Sequence, residues 1–294
     1  MYEQGTDARL LAALFEYVDN KTVIDAGAEH GEFTRLLLEQ GAEAVFDIEP
    51  YPPNVAALRE RFGSDARVRI VELALSDRDG EATLNLIADR EGINVSSYHS
   101  LAHATETALI HKTGEMKVEC RTLDSLMREG VLPRAVGILK IDAEGHDLAI
   151  LRGMGELAAA VVMIEFWDDL PEAMGKAQFK LIEAWDVMCR RGYRHVVLIR
   201  RRDEFETVEI DDPRTRPGDW GNAIFLHGGA FAEVPSLVFQ LAADAHAQLI
   251  DKAVYFKTHC HLRMKVIEEQ SVALEHFRRA APAVKPDTPA PRSD

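Results

Sequence analysis

The sequence predicts an α/β protein with a mainly parallel sheet and helices on both of its faces. Three observations carry this reading. Short apolar runs alternate with helical stretches up to about residue 230, the pattern of successive βαβ units. The first run turns on glycines straight into a helix, in Val23-Ile24-Asp25-Ala26-Gly27-Ala28-Glu29-His30-Gly31-Glu32-Phe33-Thr34. The second ends on acids, Asp47 and Glu49, about 20 residues beyond those glycines, a separation that suits a nucleoside-binding fold.

Taken in order, Leu10, Leu11, Leu14, Phe15 and Val18 share one face of a helix over 6–19, with Thr6 as its cap. Strands follow at 22–25 and 44–48, separated by a helix over 32–40. Pro53 stands near the start of a helix over 53–62, where its missing N–H costs nothing. Residues 67–75 read as one strand, 76–80 as a turn, and 81–87 and 117–123 as extended segments. Apolar β-rich runs at 136–141 and 161–166 flank a helix over 147–154. A helix over 179–191 and strands at 195–200 and 223–226 bring the total to about seven core strands. The stretch 89–115, which includes Ser96-Ser97-Tyr98-His99-Ser100, carries no regular pattern and reads as a lid over the site.

Charge and apolar content narrow the function classes. The 294 residues hold 34 Lys and Arg against 49 Asp and Glu, a net charge of −15, which argues against a nucleic-acid partner. The longest apolar run, from Leu157 to Ile164, falls far short of the roughly 20 residues of a membrane-spanning helix. No basic stretch followed by an apolar one marks a secretory signal near Met1, and three scattered cysteines suit a reduced compartment, so the expected location is cytoplasmic.

The chain changes character near residue 230. The first 232 residues carry the whole negative charge and form the expected catalytic domain. Beyond it, Leu249, Ala253, Phe256, Cys260, Ile267, Leu274 and Phe277 keep an imperfect heptad spacing. A long helical extension over 233–281 is expected, either packed on its own domain or pairing two copies as a homodimer. The proline-rich 282–294 is expected to be disordered.

Three motifs carry chemistry. The glycine turn gives backbone N–H groups at a helix start that could hold an anion. It lacks the dinucleotide spacing, because positions three and six from Gly27 are Glu29 and Glu32, which disfavours a nicotinamide cofactor. An amino-acid-bearing ligand with a cationic sulfur suits so acidic a turn. Of the acids ending the second strand, Glu49 sits at the carboxyl end and is favoured for both hydroxyls of a ribose. The third motif, Lys140-Ile141-Asp142-Ala143-Glu144-Gly145-His146-Asp147, brings three charges out of a buried strand, costly unless they meet each other or a ligand. Glu165 ends another core strand. The alternative reading of Lys140 is a structural pair with an acid.

These motifs resemble the FkbM-type S-adenosylmethionine-dependent methyltransferases from about Val23 to Phe166. The likeness rests on Asp25-x-Gly27-Ala28-x-x-Gly31-x-Phe33-Thr34, Glu49-Pro50-x-Pro52, Ala74-Leu75-Ser76-Asp77-x-x-Gly80, Thr122-Leu-Asp124-Ser-Leu126, Lys140-Ile-Asp142-x-Glu144-Gly145 with Leu151-x-Gly153, and Glu165-Phe166. Family members often carry Asn in the glycine turn, where this chain has Glu29-His30. The resemblance implies the class I methyltransferase fold, Rossmann-like, with seven strands of which the last is antiparallel. It implies S-adenosyl-L-methionine as methyl donor, S-adenosyl-L-homocysteine as product, and a hydroxyl of a sugar, glycan or secondary metabolite as acceptor. Asp25, Gly27, Ala28, Glu29, His30, Gly31, Phe33 and Thr34 would then line the methionine end, Glu49 the ribose, and Ala74, Leu75, Ser76 and Asp77 the adenine. Asp142 and Glu144 would face the methyl and the acceptor.

A hydroxyl nucleophile needs its proton removed as it attacks, so Asp142, Glu144, His146 and Glu165 are candidate bases, with Lys140 pairing them or orienting the substrate. A divalent metal held by Asp142 with Glu165 or Asp168 is the less favoured route. His99/His103 and His259-Cys260-His261 lack the paired spacings of structural zinc sites. Trp167 and Trp220 suit either sugar stacking or the core. A rival reading is a catalytically silent S-adenosylmethionine-binding module that assembles with partners through its C-terminal helix.

Overall fold

The apolar runs expected to be strands do build a sheet covered on both faces. A computed structural model describes residues 5–89, 91–93, 99–101, 110–168, 179–202, 205–215, 218–245 and 247. Along the chain lie α1 (Thr6–Tyr17), β1 (Thr22–Ala26), α2 (Glu32–Glu39), β2 (Ala44–Ile48), α3 (Pro52–Phe62), β3 (Val68–Val71), β4 (Ala74–Leu75), β5 (Gly80–Asp89) and β6 (Ile110–Arg121). They are followed by α4 (Leu123–Arg128), β7 (Ala135–Ile141), α5 (Asp147–Arg152), β8 (Ala158–Asp168), α6 (Leu181–Arg190), β9 (Tyr193–Arg202), β10 (Phe205–Ile210) and β11 (Asp219–His227).

The large sheet has eight strands in the order β10-β9-β11-β8-β7-β1-β2-β3. β3, β2, β1, β7 and β8 pair in parallel, while β11 runs antiparallel to both β8 and β9. This is the class I methyltransferase arrangement, with β10 added as an antiparallel edge strand. Successive side chains point to opposite faces. Val23, Val45, Ile138, Val161 and Ile224 therefore meet α1 and α2 through Leu10, Leu14, Phe33 and Leu37. Ile24, Phe46, Leu139, Val162 and Phe225 meet α4, α5 and α6 on the other face. Strand order reverses at β1, which opens a crevice beyond its carboxyl end where ligands of open α/β sheets bind.

Several boundaries differ from expectation. The strand expected over 67–75 divides, because after Val71 the chain leaves the large sheet and β4 pairs with β6 in a separate sheet of order β4-β6-β5. The pattern-free stretch 89–115 shrinks, since β5 reaches Asp89 and β6 starts at Ile110. α4 begins at the last residue of the segment expected over 117–123 and runs on through a stretch with no expected element, and Thr122 caps it by accepting a hydrogen bond from Ser125 N at 3.0 Å. Thr6 is not a cap: it lies inside α1, whose cap is Gly5.

The chain divides into two units, Met1–His246 and Ala247–Asp294. Residues 236–245 are helical, and Val238 and Leu241 join the apolar layer of α1, so this part of the expected extension packs with the first unit. The heptad stretch from Leu249 onward and the proline-rich tail lie outside the described residues. Among the described residues no helix is long and apolar enough to cross a membrane.

Candidate active site

The crevice is built first by two glycines. Gly27 has φ +78°, and a Cβ there would stand 1.9 Å from the Asp142 carbonyl oxygen. The turn after β1 is thus pressed against the chain leaving β7, whose Asp142 N donates to Ala26 O at 2.9 Å. Gly31 has φ +75°, and its Cβ would stand 2.3 Å from the Phe62 ring. Both positions require glycine because of the chain's own packing. Gly27 and Glu29 line the crevice, whereas Ala28 packs against Leu58 and Phe62, and His30 is exposed beside Glu29.

Beneath the turn lies an ion pair. Asp25 and Lys140 are register partners on β1 and β7, both buried, with Nζ 3.0 Å from Asp25 Oδ1. Lys140 also donates to Gly27 O at 3.3 Å and stands 3.4 Å from Asp142 Oδ2. Thr34 Oγ1 donates to Asp47 Oδ1 at 2.6 Å, and Phe33 presents its ring to the ammonium at 5.6 Å. Burial pushes Asp25 above its ordinary value while Lys140 pulls it back; burial and the Asp25 charge push Asp47 up to about 7. Asp25, Phe33, Thr34 and Lys140 thus lie beneath the crevice and do not line it, with Lys140 paired to both Asp25 and Asp142.

The wall encloses about 220 Å³. On one side Glu49, 5% exposed, accepts from Glu29 N through Oε2 at 3.0 Å and from Tyr51 N through Oε1 at 2.9 Å. Burial holds its pKa up at about 7 against these hydrogen bonds and one from Asn54. A carboxylate has about four acceptor positions, and with Asn54 as the third donor Glu49 keeps one for a ribose hydroxyl. Leu73, Ala74, Leu75 and Leu84 make an apolar side. Ser76 and Asp77 stand behind it: Ser76 Oγ lies 2.8 Å from His146 Nε2, and neither His146, Ser76 nor Asp77 lines the cavity. Burial lowers the His146 pKa.

At the other end three carboxylates converge. Asp142, Glu144 and Glu165, from the loops after β7 and the end of β8, each offer an oxygen within 4.8 Å of the others. Glu144 sits in the left-handed region at φ 49°. Burial, then the Glu165 charge, raises Glu144 well above the carboxylate range; burial, then Asp142, does the same to Glu165. Asp147, fully buried, is pushed up to about 7 by burial and Asp142 while its Oδ1 accepts from Glu165 N at 3.1 Å. Such a trio can accept a proton or hold a hard cation. The side chain of Asp168, the other expected ligand, lies outside the described residues.

Sequence reasoning left Asn54, Leu84, His99 and Leu101 out of the site, yet all four line it. Only the length of the patternless stretch pointed toward His99 and Leu101. That stretch does form wall: Ser100 Oγ donates to Glu144 O at 2.7 Å. Positions 94–98 and 102–109, including His103, lie outside the described residues.

A sequence profile described as the methyltransferase FkbM domain matches residues 25–195, more than half of the chain. The chain belongs to the FkbM methyltransferase family. Its large sheet has the strand order of the class I methyltransferase fold. Among curated proteins, it is 27% identical over 151 residues to 2-O-methyltransferase NoeI of Sinorhizobium fredii (strain NBRC 101917 / NGR234), which covers 49% of this chain and 61% of that relative. Similar solved structures include a putative RNA methyltransferase, PH1948, from Pyrococcus horikoshii (14% identity, TM-score 0.38, 75% of this chain and 79% of that one). Another is the N-terminal domain of EvdMO1 in the presence of SAH and D-fucose (11% identity, TM-score 0.41, 76% and 82%).

Proposed function

We propose that this FkbM methyltransferase transfers the methyl group to a hydroxyl of a sugar, glycan or secondary metabolite. The observation that carries the reading is the convergence of Asp142, Glu144 and Glu165 at one end of a crevice whose other end presents Glu49. When bound, S-adenosylmethionine supplies an electrophilic methyl on a sulfonium. The residues present fit it: Glu49 keeps an acceptor position for a ribose hydroxyl, and the acidic wall suits a cation. The apolar side of Leu73, Ala74 and Leu75 suits a flat base.

Each group then has a task. Glu49 holds the nucleoside and so fixes the direction in which the methyl points; alignment of this kind is worth roughly 7–11 kcal/mol in favourable cases. The acceptor hydroxyl gives its proton to a carboxylate of the trio. Burial and the neighbouring charges make Glu144 and Glu165 stronger bases than an exposed carboxylate. Lys140 anchors Asp142 and Asp25 from below, so the floor stays fixed as charge moves above it.

The test is S-adenosylhomocysteine formation with a panel of hydroxylated acceptors, together with a methyl carbon shift of an ether in the product. Cofactor binding without turnover on any acceptor would favour the silent assembly module. The 4.8 Å convergence also supports a second reading, in which the trio holds a divalent cation. For the heptad segment, the homodimer proposal predicts a smaller sedimenting mass than two chains once residues 247–294 are removed; an unchanged monomer overturns it.

A further inference from the structure

The polar side chains around the crevice are almost all acceptors: Glu29, Glu49, Asp142, Glu144 and Glu165. Among the described residues lining it, side-chain N–H groups come only from Asn54 and His99. Asn54 already serves Glu49. His99 is 9% exposed, and its Nε2 has no partner among the described residues. A buried ring nitrogen left in this state costs free energy unless a ligand meets it.

The hydrogen bonds around His99 fix which nitrogen carries the proton. Ile87 N donates to Nδ1 at 3.1 Å, so Nδ1 offers its lone pair. Burial depresses the pKa to about 4, which keeps the ring neutral near pH 7. A neutral imidazole with a free lone pair on Nδ1 bears its hydrogen on Nε2. Nε2 is therefore a donor. Its position is also fixed: the ring meets Tyr51 edge-on at 4.6 Å, and Tyr51 N in turn holds Glu49. The next residue, Ser100, exchanges backbone hydrogen bonds with Asn85 on β5 and reaches Glu144 O.

We propose that His99 recognises the base of the cofactor, its Nε2–H donating to a ring nitrogen of the adenine. This rests on the reading that the crevice takes S-adenosylmethionine with its ribose on Glu49. Adenine presents three ring nitrogens as acceptors on its edge, and the carboxylates of the wall cannot satisfy them once ionised. Leu75, Leu84 and Leu101 supply the apolar faces between which a flat heterocycle fits, and His99 supplies the edge contact that identifies it. His99 thus acts as a cofactor-binding residue and sets specificity for the purine.

The test is calorimetric and needs no acceptor. S-adenosylhomocysteine and its 1-deaza, 3-deaza and 7-deaza analogues, each with CH in place of one ring nitrogen, are titrated into the full chain, into His99→Phe and into His99→Gln. One analogue should bind the unaltered protein about tenfold more weakly than the parent, because the donor then faces a C–H. That deficit should vanish in His99→Phe, which keeps an aromatic ring beside Tyr51 but has no donor, and return in part in His99→Gln. Equal affinity for all three analogues in the unaltered protein overturns the proposal, whether or not the variants fold. A deficit that persists unchanged in His99→Phe also overturns it, since the ring nitrogen then meets another group. Failure of S-adenosylhomocysteine itself to bind would instead overturn the reading of the crevice.

Discussion

Replacing Lys140 with Met removes the cation from a buried pair and leaves Asp25, with 0% of its surface exposed, to find another charge partner or a proton. At 3.0 Å and an effective dielectric of about 20, the lost attraction is about 5.5 kcal/mol. The protein can limit the loss by protonating Asp25 in the folded state. From its ordinary value of 3.8, that costs about 4.4 kcal/mol at pH 7 and about 1.6 kcal/mol at pH 5. The sign follows from linkage: an acid whose folded pKa is raised holds a proton that the unfolded chain has lost, so stability falls as pH rises. Urea denaturation should therefore show Lys140→Met destabilised by about 3–5 kcal/mol at pH 7 and by clearly less at pH 5. The double variant Asp25→Asn/Lys140→Met should recover part of the loss and respond less to pH. A deficit below about 1 kcal/mol at pH 7, or one that does not shrink at pH 5, would refute the burial argument.

Asp142→Asn should keep the far-ultraviolet spectrum and lower turnover tenfold or more, as measured by S-adenosylhomocysteine release; near-normal turnover removes Asp142 from the chemistry. Asp147→Asn should raise the melting temperature at pH 8 and leave it little changed at pH 4. The native Asp147 titrates near 7 and the unfolded carboxyl near 3.8, so its cost to stability accrues as pH rises between these values and is complete above 7, and Asn can still accept from Glu165 N. Gly27→Ala forces a left-handed alanine, worth about 1–2 kcal/mol, and drives Cβ to 1.9 Å from Asp142 O. Its melting temperature and its affinity for S-adenosylhomocysteine should both fall, and a variant as stable as the parent would contradict the close approach. Exhaustive chelation should leave methyl transfer intact if a carboxylate alone is the base; a loss restored by added magnesium would move the trio to the cation-binding reading.

Strands buried on both faces are legible because their apolar runs are continuous, and β1, β2, β7 and β8 lie where those runs do. Their carboxyl ends also border the crevice, so Glu49, Asp142, Glu144 and Glu165 could be named from sequence as lining it. What escaped was partner choice. Residues 67–75 alternate equally well whether they stay in one sheet or pass to another, and only the pairing of Ala74 with Cys120 decides. The six-residue α4 is too short to show a period, although Thr122 three residues before Ser125 was a readable cap. The two glycines have the expected backbone freedom, and the space a Cβ would take is filled by Asp142 at one and Phe62 at the other. Ser76 and His146 are separated by 70 residues, and nothing local announces that they touch. His99 sat in a stretch without periodicity, where sequence offers no geometry at all.

The large sheet ends at β3 on one side and β10 on the other. Both outer strands are short, four and six residues, and both carry charge: Arg69 on β3, and Glu206 and Glu209 on β10. Those glutamates are tied inward to Arg201 and Arg200. Edges of this kind discourage a neighbouring molecule from adding a strand, a common beginning of aggregation. Pairing of two copies through either edge of the large sheet is accordingly disfavoured.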